Sequence, residues 1–145
     1  MPDFLVEFRR GHVIHDSDPE SSLCHCISKD CHLGKGCARS FRLEFGRIEE
    51  MKAMNTQVGE ACVLEDNHRY IYNLVTKEVY NDRPKFEDLY KSLLSMRQHC
   101  FDHDVRLISM PKIGCGRDRF KFFDVFELLK YVFSNTGIMI HIYYF

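Results

Sequence analysis

Apolar and polar residues alternate with period two in "DFLVEF" (3–8) and in "SLCHCIS" (22–28), a pattern that predicts two strands. In the second, Cys24 and Cys26 share one face and His25 takes the other. The period then lengthens. In "GKGCARSFRLEFG", Cys37, Phe41 and Phe45 fall four apart, one side of a short helix stopped by Gly46, and "RIEEMKAM" reads as a second short helical piece. "EACVLED" and "RYIYNLVT" are β-rich runs joined through Asn67-His68, which predicts a hairpin. Beyond Pro84, Glu87 and Asp88 stand where acidic residues favour a helix start. Phe86, Leu89, Tyr90, Leu93, Leu94 and Met96 carry helical spacing on towards Cys100 and Phe101. "VRLISM" (105–110) predicts a strand. Phe122, Phe123, Phe126, Leu129, Val132 and Phe133 predict a last amphipathic helix ended by Gly137, and "IMIHIYYF" a closing strand. Strands alternating with helices, plus one hairpin, imply an α/β fold with a mixed sheet covered on both faces.

Composition adds limits to this picture. The chain has 145 residues, 45% of them hydrophobic, with 12 Phe and 7 Tyr, enough for one domain over 1–145 to bury a core without disulfides. Twenty basic against 21 acidic residues give a formal charge of −1, which excludes the broad positive field of non-specific nucleic-acid binding. A small anionic ligand in a local pocket remains compatible. Seven cysteines are an odd number and "MPDFLVEF" has no secretory character, so a reducing intracellular compartment, nucleus or cytoplasm, is expected. No apolar run approaches the roughly 20 residues of a membrane span, and no membrane partner is expected. A monomer is expected.

Two segments repeat one layout of strand, glycine-bearing loop and helix: "CISKDCHLGKGCA", with Gly34 and Gly36, and "ISMPKIGCGRDRF", with Gly114 and Gly116. Such loops bring backbone N–H groups to a phosphate at a helix N-terminus, and two could grip a diphosphate; either alone is better explained as a turn. "CHCISKDCH" invites a zinc reading, but Cys24 and Cys26 lie within a predicted strand and no second ligand pair completes a tetrahedral set, so core cysteines are favoured and no metal is expected. Cys115, between glycines, is a minor candidate nucleophile without a nameable base. On spacing alone Lys77 reads first as a solvated lysine at a strand edge, with a partly desolvated nucleophile or base as the alternative, and Asp118 as a partner of Arg117 or Arg119 or a helix cap.

Taken together, "GHVIHD", "HCISKDCHLGKG", "FGRIEEM", "VGEACVL", "RYIYNLVTK", "SLLSMRQHC" and "SMPKIGCGRDR" resemble, in order and over nearly the whole chain, a macrodomain. The resemblance is to the small single-domain branch of terminal ADP-ribose glycohydrolases that also deacetylate O-acetyl-ADP-ribose. It implies a three-layer α/β/α sandwich with a mixed central sheet and ADP-ribose in a cleft at the strand ends. By that analogy Gly34, Lys35 and Gly36, with Ile113, Gly114, Cys115 and Gly116, embrace the diphosphate and distal ribose, and His25 and Ser28 lie on the approach to the first loop. Thr76-Lys77 matches the active lysine and Asp118 the active aspartate. Lys77 would attack the anomeric carbon of the distal ribose, displacing the carboxylate of a modified Glu or Asp side chain, while Asp118 handles the proton transfers. A hydrophobic wall or a nearby cation, Arg117 or Arg119, would help to free the amine.

One departure stands out. Relatives carry Gly-Asp after the first strand, the aspartate accepting from the adenine amino group; here the pair is Gly11-His12. An imidazole lacks the charge-assisted bond, worth roughly 1.5–3 kcal/mol, although it offers one acceptor nitrogen and a ring face. The resemblance therefore implies a hydrolase of ADP-ribosylated proteins, with two alternatives: a non-catalytic ADP-ribose reader, or a hydrolase of ADP-ribosylated nucleic-acid bases.

Overall fold

The computed structural model describes residues 3–116 and 118–145. Among them, six strands form one sheet: β1 (Leu5–Arg10), β2 (Ser22–Ser28), β3 (Ala61–Asp66), β4 (Arg69–Lys77), β5 (Leu107–Pro111) and β6 (Met139–Tyr144), in the order β1-β6-β5-β2-β4-β3. All neighbours run parallel except the β3–β4 hairpin, so the sheet is mixed. β2 and β4 are buried along nearly their whole length, as central parallel strands covered on both faces must be.

The covering helices are α1 (Gly36–Phe45), α2 (Ile48–Met54), α3 (Phe86–Asp102) and α4 (Phe122–Phe133). Residues alternating along β2 feed two separate cores. Cys24 faces Leu89, Leu93 and Met96 of α3 and Val125 and Leu129 of α4, whereas Leu23 and Ile27 pack with Phe41 of α1 and Met51 of α2. The result is the three-layer α/β/α sandwich implied by the pattern. Among the described residues, no helix is long and apolar enough to cross a membrane.

Most elements fall where the periodicity puts them, with shifts at their ends. β1 runs from Leu5 to Arg10 instead of 3–8, its register set by parallel pairing with all of β6. β5 begins at Leu107, two residues later than expected. The last helix does not reach Gly137: Ser134 leaves helical geometry at ψ 139° and Asn135 takes a left-handed φ of 61°, so α4 stops at Phe133. Gly137, at φ 73°, belongs to the turn into β6.

Candidate functional site

The carboxyl ends of β5, β2 and β4 lie side by side, with β2 in the middle, and a cleft of about 330 Å³ opens over them. In parallel α/β sheets this is the edge where loops and helix N-termini converge on a ligand. Lys77 enters it as the last residue of β4 and Asp118 from the loop after β5. Lys77 Nζ donates to Asp118 Oδ1 at 2.8 Å, and the two side chains are only 12% and 10% exposed. Spacing gave no link between these residues, which stand 41 positions apart. The fold makes one by putting their strands on either side of β2.

A local irregularity aims the lysine. Ile27 pairs with Val75 but Ser28 pairs with Lys77, so Thr76 is an extra residue and the strand alternation breaks one step before Lys77. Thr76 is buried, its Oγ1 donating to Ile27 O at 3.5 Å. Beyond the bulge, Lys29 N–H donates to Lys77 O at 2.8 Å and Asp30 N–H to Glu78 O at 3.2 Å, which fastens the loop after β2 to the loop after β4.

Other expected positions converge on the same cleft. Gly34, Lys35 and Gly36 form one wall and Ile113, Gly114 and Gly116 the opposite one, with His25 and Ser28 between them. Lys35 caps α1 in an extended conformation without a side-chain hydrogen bond, so the first N–H groups of that helix are left for a ligand. The glycines differ in what they permit. A Cβ on Gly34 would lie 2.5 Å from the His32 ring, so that glycine makes room for a side chain, whereas Gly36, at φ 61°, has open space in front of it.

Three expected positions are elsewhere. Gly11 and His12 are outside the cleft around Lys77, and so is Cys115. His12 Nδ1 accepts the Ile14 N–H at 3.1 Å, and its own N–H goes to Asp16 Oδ2 at 2.6 Å. Its one acceptor nitrogen is thereby used within the loop, leaving Nε2 as a donor. Cys115 Sγ donates to Ile113 O at 3.3 Å, and burial pushes its thiol up, against a nucleophilic role. Arg119 is exposed, and Arg117 lies outside the described residues.

Neutral groups line the cleft floor. His25 is buried, stacked on Phe41 with ring centroids 3.8 Å apart, and Nε2–H donates to Asn73 Oδ1. Asn73 Nδ2 donates to Cys62 O and Ile71 O, which fixes that amide and hence the histidine tautomer. Burial lowers the His25 pKa to about 4, so the ring is uncharged at neutral pH, and its Nδ1 has no partner among the described residues. Burial also raises the thiols of Cys26 and Cys37, the latter to about 11. Among the described residues, no group of three or more His, Cys, Asp or Glu side chains could hold a metal.

Two residues at the mouth carry little signal in the sequence. His32, part of the run that invites a zinc reading, stacks on Tyr80 at 4.0 Å. The one signal for Tyr80 was its place three residues after Lys77.

Such a cleft, with an ammonium–carboxylate pair beside an uncapped helix N-terminus, defines a site for a phosphorylated ligand on a three-layer α/β fold. The Macro domain family model matches residues 24–129, and the chain belongs to that family. It is 43% identical over 122 residues, 84% of this chain and 80% of the relative, to the human ADP-ribose glycohydrolase OARD1. Among solved structures, the macrodomain of Thermus aquaticus DarG superposes with a TM-score of 0.85 at 21% identity, covering 97% of this chain and 98% of that one. Thermosipho africanus DarTG in complex with ADP-ribose superposes at 0.73 and 17% identity, covering 86% and 38%.

Proposed function

We propose that this chain binds ADP-ribose in the cleft and hydrolyses the ester that joins it to an acidic side chain of a modified protein. The carrying observation is the Lys77–Asp118 pair, 2.8 Å apart and nearly enclosed. Similarity to human OARD1, an ADP-ribose glycohydrolase by name, supports hydrolase chemistry. The protein acceptor, and activity on O-acetyl-ADP-ribose, are the finer parts of the proposal.

The mechanism follows from the pair. Lys77 passes its proton to Asp118, and the free amine attacks the anomeric carbon of the distal ribose. A carbon–nitrogen bond forms as the carbon–oxygen bond to the acceptor carboxylate breaks, and the electron pair leaves on that carboxylate. Asp118 hands that proton to the departing carboxylate and is a base again. It then takes a proton from water, whose oxygen attacks the same carbon as the carbon–nitrogen bond breaks with its electron pair on the Lys77 nitrogen, and the proton returns to the amine. The diphosphate lies against the uncapped N-terminus of α1 and the Gly114–Gly116 loop, with Lys35 adding positive charge at the rim. His12 offers no acceptor to an adenine amino group, which predicts weaker ADP-ribose binding than an aspartate there would give.

The test is release of free ADP-ribose from a glutamate-modified protein by the unaltered chain and by Lys77→Ala. Release by the first and a loss of at least about a hundredfold in the second are expected, the scale of losing a nucleophile. Equal release by both would remove Lys77 from the mechanism. Binding of ADP-ribose without release by either would leave a reader of the modification.

A further inference from the structure

At the mouth of the cleft is an aromatic pair that the hydrolysis does not use. The Tyr80 and His32 rings are parallel to within 16° with centroids 4.0 Å apart, although they come from different loops, after β4 and after β2. Asp30 joins those loops: Oδ2 accepts the Tyr80 N–H at 3.1 Å, while Oδ1 accepts the His32 N–H at 3.3 Å and the Ser28 hydroxyl. Burial raises the Asp30 carboxyl, but the bonds from Ser28, Tyr80 and His32 outweigh it and hold the group below its ordinary value as a carboxylate. Gly34 supplies the space into which the His32 ring folds.

This support ends in an uncovered surface. Tyr80 is 55% exposed although one of its faces rests on His32, and its neighbour Val79 is 40% exposed. Val79 and Tyr80 stand two and three residues after Lys77, on the chain that leaves the cleft. The charges that flank them along the chain balance, Glu78 and Asp82 against Arg83 and Lys85, all exposed. A polynucleotide tracks a basic groove, whereas a protein segment gains from an aromatic ring and an aliphatic side chain without net charge.

We propose that Tyr80, backed by His32 and flanked by Val79, is the acceptor-side subsite of the cleft, seating a protein segment that has an aromatic or aliphatic residue beside the modified carboxylate. The proposal rests on the reading of the cleft as an ADP-ribosyl-ester site. It makes Tyr80 a determinant of which modified proteins are chosen, acting on the side of the scissile bond away from the nucleotide.

Affinities measured in the Lys77→Ala background, where no turnover intervenes, test it. The ligands are free ADP-ribose, a peptide with ADP-ribosylated glutamate next to phenylalanine, and a short oligonucleotide with an ADP-ribosylated base. The peptide is expected to bind about threefold to tenfold more tightly than free ADP-ribose, the scale of one aromatic contact. Tyr80→Ala should erase that advantage while Tyr80→Phe keeps it, free ADP-ribose changing by less than about twofold throughout. The subsite is overturned if the peptide has no advantage, if Tyr80→Ala weakens both ligands equally or neither, or if the oligonucleotide shows the Tyr80-dependent gain instead. Failure of every variant to bind free ADP-ribose would overturn the underlying reading of the cleft, an outcome distinct from the others.

Discussion

Lys77 and Asp118 are chemically ordinary side chains whose effect comes from enclosure and distance. A lysine that donates to a carboxylate at 2.8 Å has its proton acceptor in place, so no diffusing base is needed before attack. His25 is placed just as specifically, neutral beneath the same cleft, and this makes it a test of the packing there. Its folded pKa of about 4 lies below the ordinary imidazole value of 6.5, so the unfolded chain takes up the proton first as the pH falls. The stability it contributes is complete above about pH 6.5 and is lost progressively from there towards pH 4. We expect about 2 kcal/mol of this loss between pH 7 and pH 4.5, and His25→Leu should unfold in urea with a correspondingly smaller pH dependence. Identical pH dependences would mean that His25 is not held neutral in the folded chain. Of the site residues, those in the two glycine loops were legible only because the strand–loop–helix layout occurs twice and resembles a family, since glycine between strand and helix otherwise reads as a turn. Tyr80 and His32 could not, since nothing in either's local sequence reports a partner 48 positions away.

The elements that were legible are those with strong periodicity or distinctive turn chemistry. The β3–β4 hairpin is an example: Asn67 and His68 have φ of 47° and 70°, the left-handed pair of a tight two-residue turn. Asparagine tolerates that geometry, whereas histidine is strained in it. His68→Gly should therefore raise stability by about 0.5–1 kcal/mol, seen as a melting temperature higher by about 1–4 °C. A lower melting temperature would show that the histidine ring contributes more than its backbone costs. Boundaries were less legible because tertiary pairing decides them. β1 shifts to match β6, and α4 stops at Phe133 because Asn135, not Gly137, makes the first left-handed turn. The bulge at Thr76 had no signal at all, since a β-branched residue in an apolar run looks like regular strand. Yet that bulge sets the direction of Lys77.

Across the whole molecule, function depends on strand order. Lys77 and Asp118 meet because β4 and β5 flank β2, an arrangement no residue spacing encodes, and only resemblance to a family joined them beforehand. The pattern of elements did predict a sheet covered on both faces, because each run's period reports which of its residues must be buried. Two cores, one under α3 and α4 and one under α1 and α2, hold the sheet between them and keep the ends of β5, β2 and β4 in register below the cleft. The central claim for this assembly is that Lys77 forms a bond to the ribose. The direct measurement is to mix the chain with a glutamate-modified protein, quench with borohydride at successive times, and identify by mass spectrometry which side chain carries an ADP-ribosyl group. Our account predicts that the group appears on Lys77 in the unaltered chain, and that Asp118→Asn, without the acceptor for the Lys77 proton and without the base for water, slows both its appearance and its release. ADP-ribose released while Lys77 stays unmodified at every time point, in both forms of the protein, would contradict it.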